Sequence, residues 1–426
     1  MKIKVKNMRY EDVLALPKER YQKPIKPHWI FRLVLRIASV LDLIAVGFQY
    51  RKIGMDKIGK REPCLVLMNH SSFIDLEIAA TLLFPRPFNI VCTSDGFVGK
   101  SWLMRLIGCI PTKKFVSDPK LVRDMLYAVK ELKSSVLMYP EASYSFDGTA
   151  TPLPESIGRC IKMLGVSVVM IRTYGAFSRD PLYNGLRRRK VKVSADMECV
   201  LSPGEIVEKS SQEINEIINR YFDFDNFRWQ QENEIRIPEN FRAEGLNRVL
   251  YKCPHCMAEG KMLSKDTILT CQNCGKQYEL TEYGYVKALE GDTEFEHIPD
   301  WYRWQRSCVR HEIEKAQYML DIPVDICMMV NMKCIYRVGD GNLKHAAEGF
   351  HLTGCDGKLD YRQKPSSSYS LYSDYYWYEI GDVICIGDSK VLYYCFPKAE
   401  GDIVAKTRLA TEEMYKLAKK SRALKM

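Results

Sequence analysis

The stretch 64-CLVLMNHSSFIDLE-77 joins an apolar run to the start of a helical pattern. Residues 64–68 predict a buried strand, since they form a short, continuous apolar run. His70 follows that run, and Asp75 lies where the helix is expected to begin. Open α/β sheets place their ligand sites at the carboxyl ends of their strands, so this turn is a candidate site.

Two interpretations of His70 and Asp75 follow from these residues alone. Ser72 and Asp75 fit the S/T-x-x-D/E capping pattern, and the helix dipole favours a carboxylate in the first turn. Alternatively, a neutral His70 takes a proton from an alcohol while the Asp75 carboxylate orients its other ring nitrogen. Capping does not require a histidine at the end of a buried strand, which favours the second interpretation without excluding the first.

Further strands and helices are predicted on both sides of this turn. The strand-like runs are 64–68, 89–92, 135–139, 166–171 and 190–200, and the helical patterns are 119–132 and 155–165. This alternation predicts an α/β layer with a largely parallel sheet.

The N-terminal region carries nearly all of the net charge of +10, with 14 Lys or Arg against 5 Asp or Glu in residues 1–60. Such an end suggests an anionic partner, either a lipid surface or a nucleic acid. Residues 29–48 are apolar, but Arg32, Arg36 and Asp42 make a transmembrane span too costly. The segment begins too late for a signal peptide, and no small-residue cleavage site follows it. A buried core helix and a membrane-interfacial helix with basic flanks both remain, and the flanks favour the latter.

Four of the 15 cysteines form a pattern in 253-CPHCMAEGKMLSKDTILTCQNCGKQYEL-280. Two C-x2-C knuckles at this separation predict that Cys253, Cys256, Cys271 and Cys274 hold one tetrahedral ion, with His255 as a bystander. Zinc in a structural role is favoured, although iron would use the same ligands. The other cysteines are scattered, which is typical of reduced thiols in a cytosolic protein.

The C-terminal region is expected to be rich in β-structure. After a helical stretch at 299–320, strand-like runs appear at 324–330, 333–342, 382–389 and 391–396, and a basic helix is predicted over 407–425. The aromatic cluster 369-YSLYSDYYWYEI-380 is either a binding face or a strand with alternate burial, and the strand is favoured.

Four blocks in this order resemble those of the PlsC-type glycerolipid acyltransferases, the lysophosphatidate and glycerol-phosphate acyltransferase family. Asn69-His70 followed by Asp75 resembles the His-x4-Asp block of that family. The stretches 106-LIGCIPTKK-114, 138-MYPEASYS-145 and 165-GVSVVMI-171 resemble its second, third and fourth blocks. The resemblance covers residues 27–210, and it implies an α/β fold with a mixed sheet flanked by helices and an N-terminal helical segment at the membrane interface.

The resemblance implies transfer of a fatty acyl group from acyl-CoA or acyl carrier protein to the hydroxyl of a lysophospholipid or 1-acylglycerol-3-phosphate. His70 is then the general base, and Asp75 holds the imidazole and stabilises its charged form. The positions that would bind the acceptor are Asn69, Lys113, Lys114, Glu141, Ser143 and Tyr144.

Two departures from the family pattern concern the phosphate of the acceptor. The third block usually reads Phe-Pro-Glu-Gly-Thr-Arg, whereas this chain has Ala142, Ser143 and Tyr144 at its last three positions. Lys113 and Lys114 stand where an arginine is common in the second block. An arginine fork grips phosphate at two points and lysine is a point charge, so acceptors whose phosphate is already esterified become plausible.

Four regions are expected: a basic N-terminal segment with an interfacial helix over 1–60, an acyltransferase domain over 61–240, a zinc ribbon over 246–285 and a β-rich accessory domain with a C-terminal helix over 290–426. The protein is expected in the cytoplasm, bound peripherally to the anionic cytoplasmic face of a membrane. The alternative is a degenerate acyltransferase fold whose ribbon binds nucleic acid or a protein partner. Both His70 and Asp75 are present, and the basic excess lies away from the ribbon, so nucleic acid is disfavoured.

Overall fold

The computed structural model describes residues 3–116, 118–398 and 401–423. Its strands are β1 Val5–Asn7, β2 Gln49–Ile53, β3 Leu65–Met68, β4 Phe88–Thr93, β5 Cys109–Thr112, β6 Ser135–Met138, β7 Val168–Tyr174, β8 Ser194–Leu201, β9 Met262–Lys265, β10 Ile268–Cys271, β11 Gln277–Leu280, β12 Val286–Ala288, β13 Leu320–Met329, β14 Ile335–Ala346, β15 Gly349–Gly354, β16 Leu359–Gln363, β17 Tyr372–Trp377, β18 Gly381–Gly387 and β19 Leu392–Pro397. Its α-helices are α1 Tyr10–Leu14, α2 Trp29–Ala45, α3 Ile74–Leu83, α4 Ser101–Leu106, α5 Pro119–Lys130, α6 Ile157–Leu164, α7 Ala176–Arg179, α8 Pro203–Glu208, α9 Ser211–Phe222, α10 Asn226–Glu232, α11 Ile298–Glu314 and α12 Ile403–Ala423. Short 3-10 helices occupy Met55–Lys57, Ser94–Phe97, Leu182–Asn184, Leu246–Arg248 and Pro365–Ser367.

A seven-stranded sheet carries the His70 turn, in the order β2-β8-β7-β3-β6-β4-β5. Only the β7–β8 pair is antiparallel, and the other neighbouring strands are parallel. The predicted mixed sheet is thereby confirmed. Because β3 lies between two parallel neighbours, the turn after β3 is flanked by the carboxyl ends of β6 and β7.

The sheet is covered by helices on both faces, which explains why its central strands are apolar throughout. Successive side chains of β3 alternate between the two cores: Val66 and Met68 pack towards α3, and Leu65 and Leu67 pack towards α5, α6 and α9. The start of α5 follows from its sequence, since the Asp118 side chain accepts a hydrogen bond from the Lys120 N–H and Pro119 is the first helical residue.

The apolar stretch at 29–48 forms α2, which packs on α3 at the edge of this layer. Within the helix only Ser39 and Leu43 are buried. The core-helix interpretation therefore does not describe α2. Among the described residues, none of the helices combines the length and the apolar character that a membrane span needs.

The cysteine-rich segment and the C-terminal region form two further sheets. The first is antiparallel, in the order β12-β11-β10-β9, with Cys271 at the end of β10. The second runs β16-β15-β14-β13-β19-β18-β17, and β1 joins it by pairing with β14. The predicted β-rich C-terminal region is thus confirmed.

Several details differ from the sequence-based expectations. The sheet that carries His70 already includes β2, which lies before the expected domain boundary at residue 61. The stretch 225–245 crosses the expected domain boundary at residue 240, contains α10 and buries Ile237 and Ala243. The last helix begins at Ile403 rather than at 407, and the predicted positions 424 and 425 lie outside the described residues.

The accessory regions share one hydrophobic core with the α/β domain. This core includes Phe146 and Phe177 of the domain, Tyr278 of the cysteine-rich sheet, Trp301 of α11 and Leu409 of α12. Extensive apolar burial of this kind fixes the C-terminal region against the loop that follows β6.

Candidate active site

His70 and Asp75 are brought together by the tight turn between β3 and α3. His70 Nδ1 lies 3.1 Å from Asp75 Oδ2. The same oxygen accepts hydrogen bonds from the backbone N–H groups of Ser71 at 2.7 Å and Ser72 at 3.0 Å. Asp75 therefore organises the start of α3 and orients the imidazole at once, so the capping and the catalytic interpretations are compatible.

Burial differs sharply across this pair. The Asp75 side chain is 1% exposed, whereas that of His70 is 25% exposed. Among the described residues, His70 Nε2 has no hydrogen-bond partner. A buried carboxylate on Nδ1 and an open Nε2 are the features that a general base requires.

Two tyrosines enclose the imidazole. The ring centroids of Tyr139 and Tyr144 lie 4.3 Å and 4.2 Å from that of His70. Burial raises the pKa of both phenols well above the usual value, so both are neutral hydroxyls. Tyr144 was predicted as an acceptor-binding residue and lies against the base. Tyr139 was missed, although its position at the end of β6, next to β3, could have indicated it.

The buried Glu141 side chain joins the His70 turn to the loop that follows β6. One carboxylate oxygen accepts the His70 N–H at 3.3 Å, and the other accepts the Thr151 N–H at 3.4 Å. Burial raises the pKa of Glu141 to about 8. The next residue, Ala142, has φ 57, a left-handed conformation that favours glycine. The adjacent Ser143 hydroxyl is buried, with no hydrogen-bond partner among the described residues.

The remaining predicted acceptor residues have other partners. The Asn69 side chain bridges to β7, since its Oδ1 accepts the Thr173 N–H at 3.0 Å. Lys113 Nζ donates to the backbone carbonyl of Ser389, in the turn between β18 and β19, at 2.8 Å. Lys114 Nζ lies 4.2 Å from the centre of the Tyr372 ring. The C-terminal sheet thus covers both lysines, and burial lowers their pKa values.

A buried chain of charges, not expected from the sequence, ties the turn to α2. Ser72 Oγ donates a hydrogen bond to Asp180. The Arg179 guanidinium donates to Asp180 at 2.9 Å and to Asp42 of α2 at 2.7 Å. Burial raises the pKa of Asp180 to about 6. These contacts fix the orientation of α2 relative to the turn that holds His70.

The four patterned cysteines converge at one end of the cysteine-rich sheet. Their sulfur atoms all lie within 4.8 Å of one another. Cys253 and Cys274 are 3.9 Å apart and Cys256 and Cys271 are 3.7 Å apart. These separations fit a tetrahedral ion with metal–sulfur bonds of about 2.3 Å, which sets the sulfurs about 3.8 Å apart. His255 pairs with Glu294 instead, at 3.2 Å. The cluster could therefore bind a metal ion.

The fold and the turn together define an α/β domain with a histidine–aspartate pair at the carboxyl end of a central parallel strand. Residues 49–173 match the family model described as Acyltransferase. These residues contain all four blocks, so the match agrees with the resemblance that the blocks predict.

Two individual proteins are similar to parts of this chain. The chain is 30% identical over 118 residues to the chloroplastic 1-acyl-sn-glycerol-3-phosphate acyltransferase BAT2 of Brassica napus, a match that spans 26% of this chain and 33% of that protein. The chain thus spans about a third of this curated relative's length. A solved structure, the 1-acyl-sn-glycerophosphate acyltransferase PlsC of Thermotoga maritima, aligns at 15% identity with a TM-score of 0.36, over 45% of this chain and 78% of that one.

Proposed function

We propose that the protein is a membrane-associated O-acyltransferase that moves a fatty acyl group from acyl-CoA or acyl carrier protein to the hydroxyl of a lysophospholipid or 1-acylglycerol-3-phosphate. One observation carries the proposal. Within a PlsC-type domain, His70 has the buried Asp75 on Nδ1 and no partner for Nε2 among the described residues.

The chemistry follows from that geometry. The acceptor hydroxyl gives its proton to His70 Nε2 while its oxygen attacks the thioester carbonyl. Asp75 stabilises the imidazolium that forms. When the tetrahedral intermediate collapses, the C–S bond breaks and the thiolate takes the proton from Nε2. The products are the acyl ester and a free thiol, and the enzyme forms no covalent bond with the acyl group.

The surroundings of His70 favour acceptors whose phosphate is already esterified. Tyr144 offers one neutral hydroxyl where the family pattern has an arginine. Lys113 is engaged by backbone carbonyls of the C-terminal sheet. A phosphate monoester carries more charge than a diester, and we propose that this site supplies too little free positive charge to prefer it.

The decisive experiment uses purified full-length protein with labelled acyl-CoA or acyl carrier protein. A panel of lysolipids serves as acceptors, and the products are separated by headgroup. We expect an acylated lysophospholipid, with 1-acylglycerol-3-phosphate a poorer acceptor. No acylated product from any acceptor would refute the proposed activity, and strong preference for the monoester would refute the acceptor assignment.

We further propose that α2 lies in the membrane interface, on the cytoplasmic face. Its three charged residues all turn towards the protein: Arg32 donates to the Pro85 carbonyl, the Arg36 guanidinium lies 4.4 Å from the Phe84 ring centre, and Asp42 pairs with Arg179. The opposite face is apolar and exposed along the whole helix, with Trp29, Ile30, Leu33, Val34, Ile37, Val40, Leu41 and Ile44. An apolar face of this length fits an interfacial helix.

Vesicle flotation tests this placement. The double substitution Ile37→Glu and Leu41→Glu should weaken binding to anionic vesicles, because it puts two charges on the face that would enter the lipid. The matched control is Val207→Glu on α8, an exposed apolar residue on the other side of the sheet, 78% exposed. Equal flotation of the double variant and the control would place the membrane contact elsewhere.

For the cysteine cluster we propose structural zinc. The four cysteines fill a tetrahedral shell, which leaves no position for a substrate. Freshly purified protein should contain one zinc per chain. Cys271→Ser should lose the metal and become protease-sensitive near residue 260, because such sites are folded largely by their ion. Less than half a zinc per chain, or iron in its place, would contradict the proposal.

A further inference from the structure

A cavity of about 330 Å³ lies between the acyltransferase domain and the C-terminal helices. One wall is the loop 146–153, which follows the third sequence block. The other walls come from α11 and α12, together with Asn219 of α9. This volume is within the range of small-ligand sites. The cavity lies outside the four sequence blocks, and the acyl-transfer chemistry makes no use of it.

Cationic side chains outnumber carboxylates in the lining of the cavity. Four cationic side chains, Arg303, Arg306, Arg408 and Lys416, face two carboxylates, Asp147 and Glu412. Each of these cations already has a carboxylate partner. Arg306 binds Glu412 at 2.7 Å, Lys416 binds Glu413 at 2.6 Å and Arg303 binds Asp300 at 2.5 Å.

Arg408 is a buried cation of the lining, and its guanidinium carbon lies 4.5 Å from the centre of the Phe146 ring. It is 3% exposed, and its Nε shares Glu412 with Arg306 at 3.3 Å. Among the described residues, its Nη1 has no hydrogen-bond partner. A buried guanidinium nitrogen left without a partner is costly, and its preferred partners are the oxygens of phosphate and carboxylate groups.

The cavity is also connected to the candidate base. Thr151, which lines it, donates its N–H to Glu141, and Glu141 accepts the N–H of His70. Two hydrogen bonds through one side chain therefore separate the cavity wall from the turn that holds His70.

We propose that this cavity binds a phosphate group, free or carried by a small organic molecule, with Arg408 as its principal ligand. The aromatic rings of Phe146 and Tyr302 also line the cavity. The added C-terminal helices thus provide an anion site that the acyltransferase domain alone lacks.

Titration calorimetry on the full-length protein tests the proposal without any acyl transfer. The probes are inorganic phosphate, glycerol 3-phosphate and coenzyme A, each at constant ionic strength adjusted with KCl. At least one probe should bind saturably, and Arg408→Gln should weaken that binding by about tenfold to a hundredfold. Equal affinities for all three would indicate free phosphate, and preference for one organic probe would identify acceptor-like or donor-like chemistry.

The matched control is Arg236→Gln, which removes an exposed cation that pairs with Glu282 and does not line the cavity. It should leave binding unchanged. Ala150→Trp fills the cavity from its loop side, keeps Arg408 intact and should also abolish binding. Absence of saturable binding for all probes, or undiminished binding in folded Arg408→Gln and Ala150→Trp proteins, would overturn the inference. Neither result bears on the acyl-transfer assay.

Discussion

Two histidine–aspartate pairs, one at the turn between β3 and α3 and one joining α10 to α11, have similar geometry and different surroundings. In the first, His70 Nδ1 lies 3.1 Å from Asp75, and in the second, His297 Nε2 lies 2.8 Å from Asp225. The second imidazole is buried, with 7% of its side chain exposed, and its other nitrogen lies 3.2 Å from Gln231 Nε2. Both of its nitrogens therefore have partners, whereas His70 Nε2 has none among the residues that the structure describes.

The difference shows that a carboxylate beside a histidine does not by itself make a base. His297 precedes α11 and Asp225 caps α10, accepting the Arg228 N–H at 2.8 Å, so this pair joins two helices. Burial alone would raise the pKa of Asp225, but hydrogen bonds from His297 and the backbone outweigh it and lower that pKa. The first pair instead lies at the carboxyl end of the central strand β3, where open α/β sheets bind their ligands.

The largest expected effect is on the rate of acyl transfer, and it should differ between substitutions of the two histidines. His70→Ala should reduce acyl transfer by about a hundredfold to ten-thousandfold, because it removes the general base. His297→Ala should keep the activity of the folded protein and lower its stability by about 1–3 kcal/mol, since buried hydrogen bonds are lost. The measurements are initial rates and urea denaturation of both variants. Full activity in a cleanly folded His70→Ala protein would refute the proposed base.

A smaller effect is expected from the two aspartates. Asp75→Asn keeps an oxygen for the Ser71 and Ser72 N–H groups but loses the charge that stabilises the imidazolium, so acyl transfer should fall by about tenfold to a thousandfold. Asp225→Asn should cost about 1 kcal/mol of stability and no activity. Rates measured at saturating and at low acceptor concentrations should show a loss mainly in kcat for Asp75→Asn. A purely structural Asp75 would change stability while leaving kcat unaltered.

The contacts of these residues also show which parts of the structure could be predicted from the sequence. His70, Asp75 and the four cysteines were predicted and lie in contact as expected, because each set belongs to a short pattern whose spacing fixes its geometry. The central strands were predicted from their apolar runs. The bond between Asp42 and Arg179 joins residues 137 positions apart, and no local pattern encodes it. The hydrogen bonds from Lys113 to the backbone carbonyls of Asp388 and Ser389 could not be predicted for the same reason, since these residues lie 275 and 276 positions away.

The side chain that contacts each histidine also differs between the pairs, and this difference should appear in the pH dependence of the stability of the protein. Glu141, under His70, has its pKa raised by burial from 4.5 to about 8, whereas His297 has the neutral amide of Gln231 beside it. The folded state holds the Glu141 proton more tightly than the unfolded chain, so the stability of the protein should fall as the pH rises from about 4.5 towards 8. Glu141→Gln should remove this component, roughly a few kcal/mol across the window.

A substitution at the second pair tests whether burial of a carboxyl group causes this pH dependence. Gln231→Glu places an ionisable carboxyl at a position that is 6% exposed, and it should add a pH dependence of the same sign at the second pair. Denaturation of both variants and the wild type at pH 5.5 and pH 8 provides the comparison. If Glu141→Gln keeps the full pH dependence of the wild type, burial of Glu141 is not its source.

The smallest expected effect concerns backbone strain, which also differs between the pairs. Ala142, beside Glu141, has φ 57, whereas His297 and Asp225 have φ −124 and φ −118, in the ordinary extended region. A left-handed alanine costs about 1–2 kcal/mol, and a glycine costs about 0.5–1 kcal/mol of extra unfolded-state entropy. Ala142→Gly, which restores the family's residue, should therefore stabilise the protein by less than about 1 kcal/mol. The matched control is Ala15→Gly, at φ −76, which should destabilise it by about 0.5–1 kcal/mol. Urea midpoints of the two variants should thus move in opposite directions, and a shift in the same direction would show that the loop under His70 carries no strain that glycine relieves.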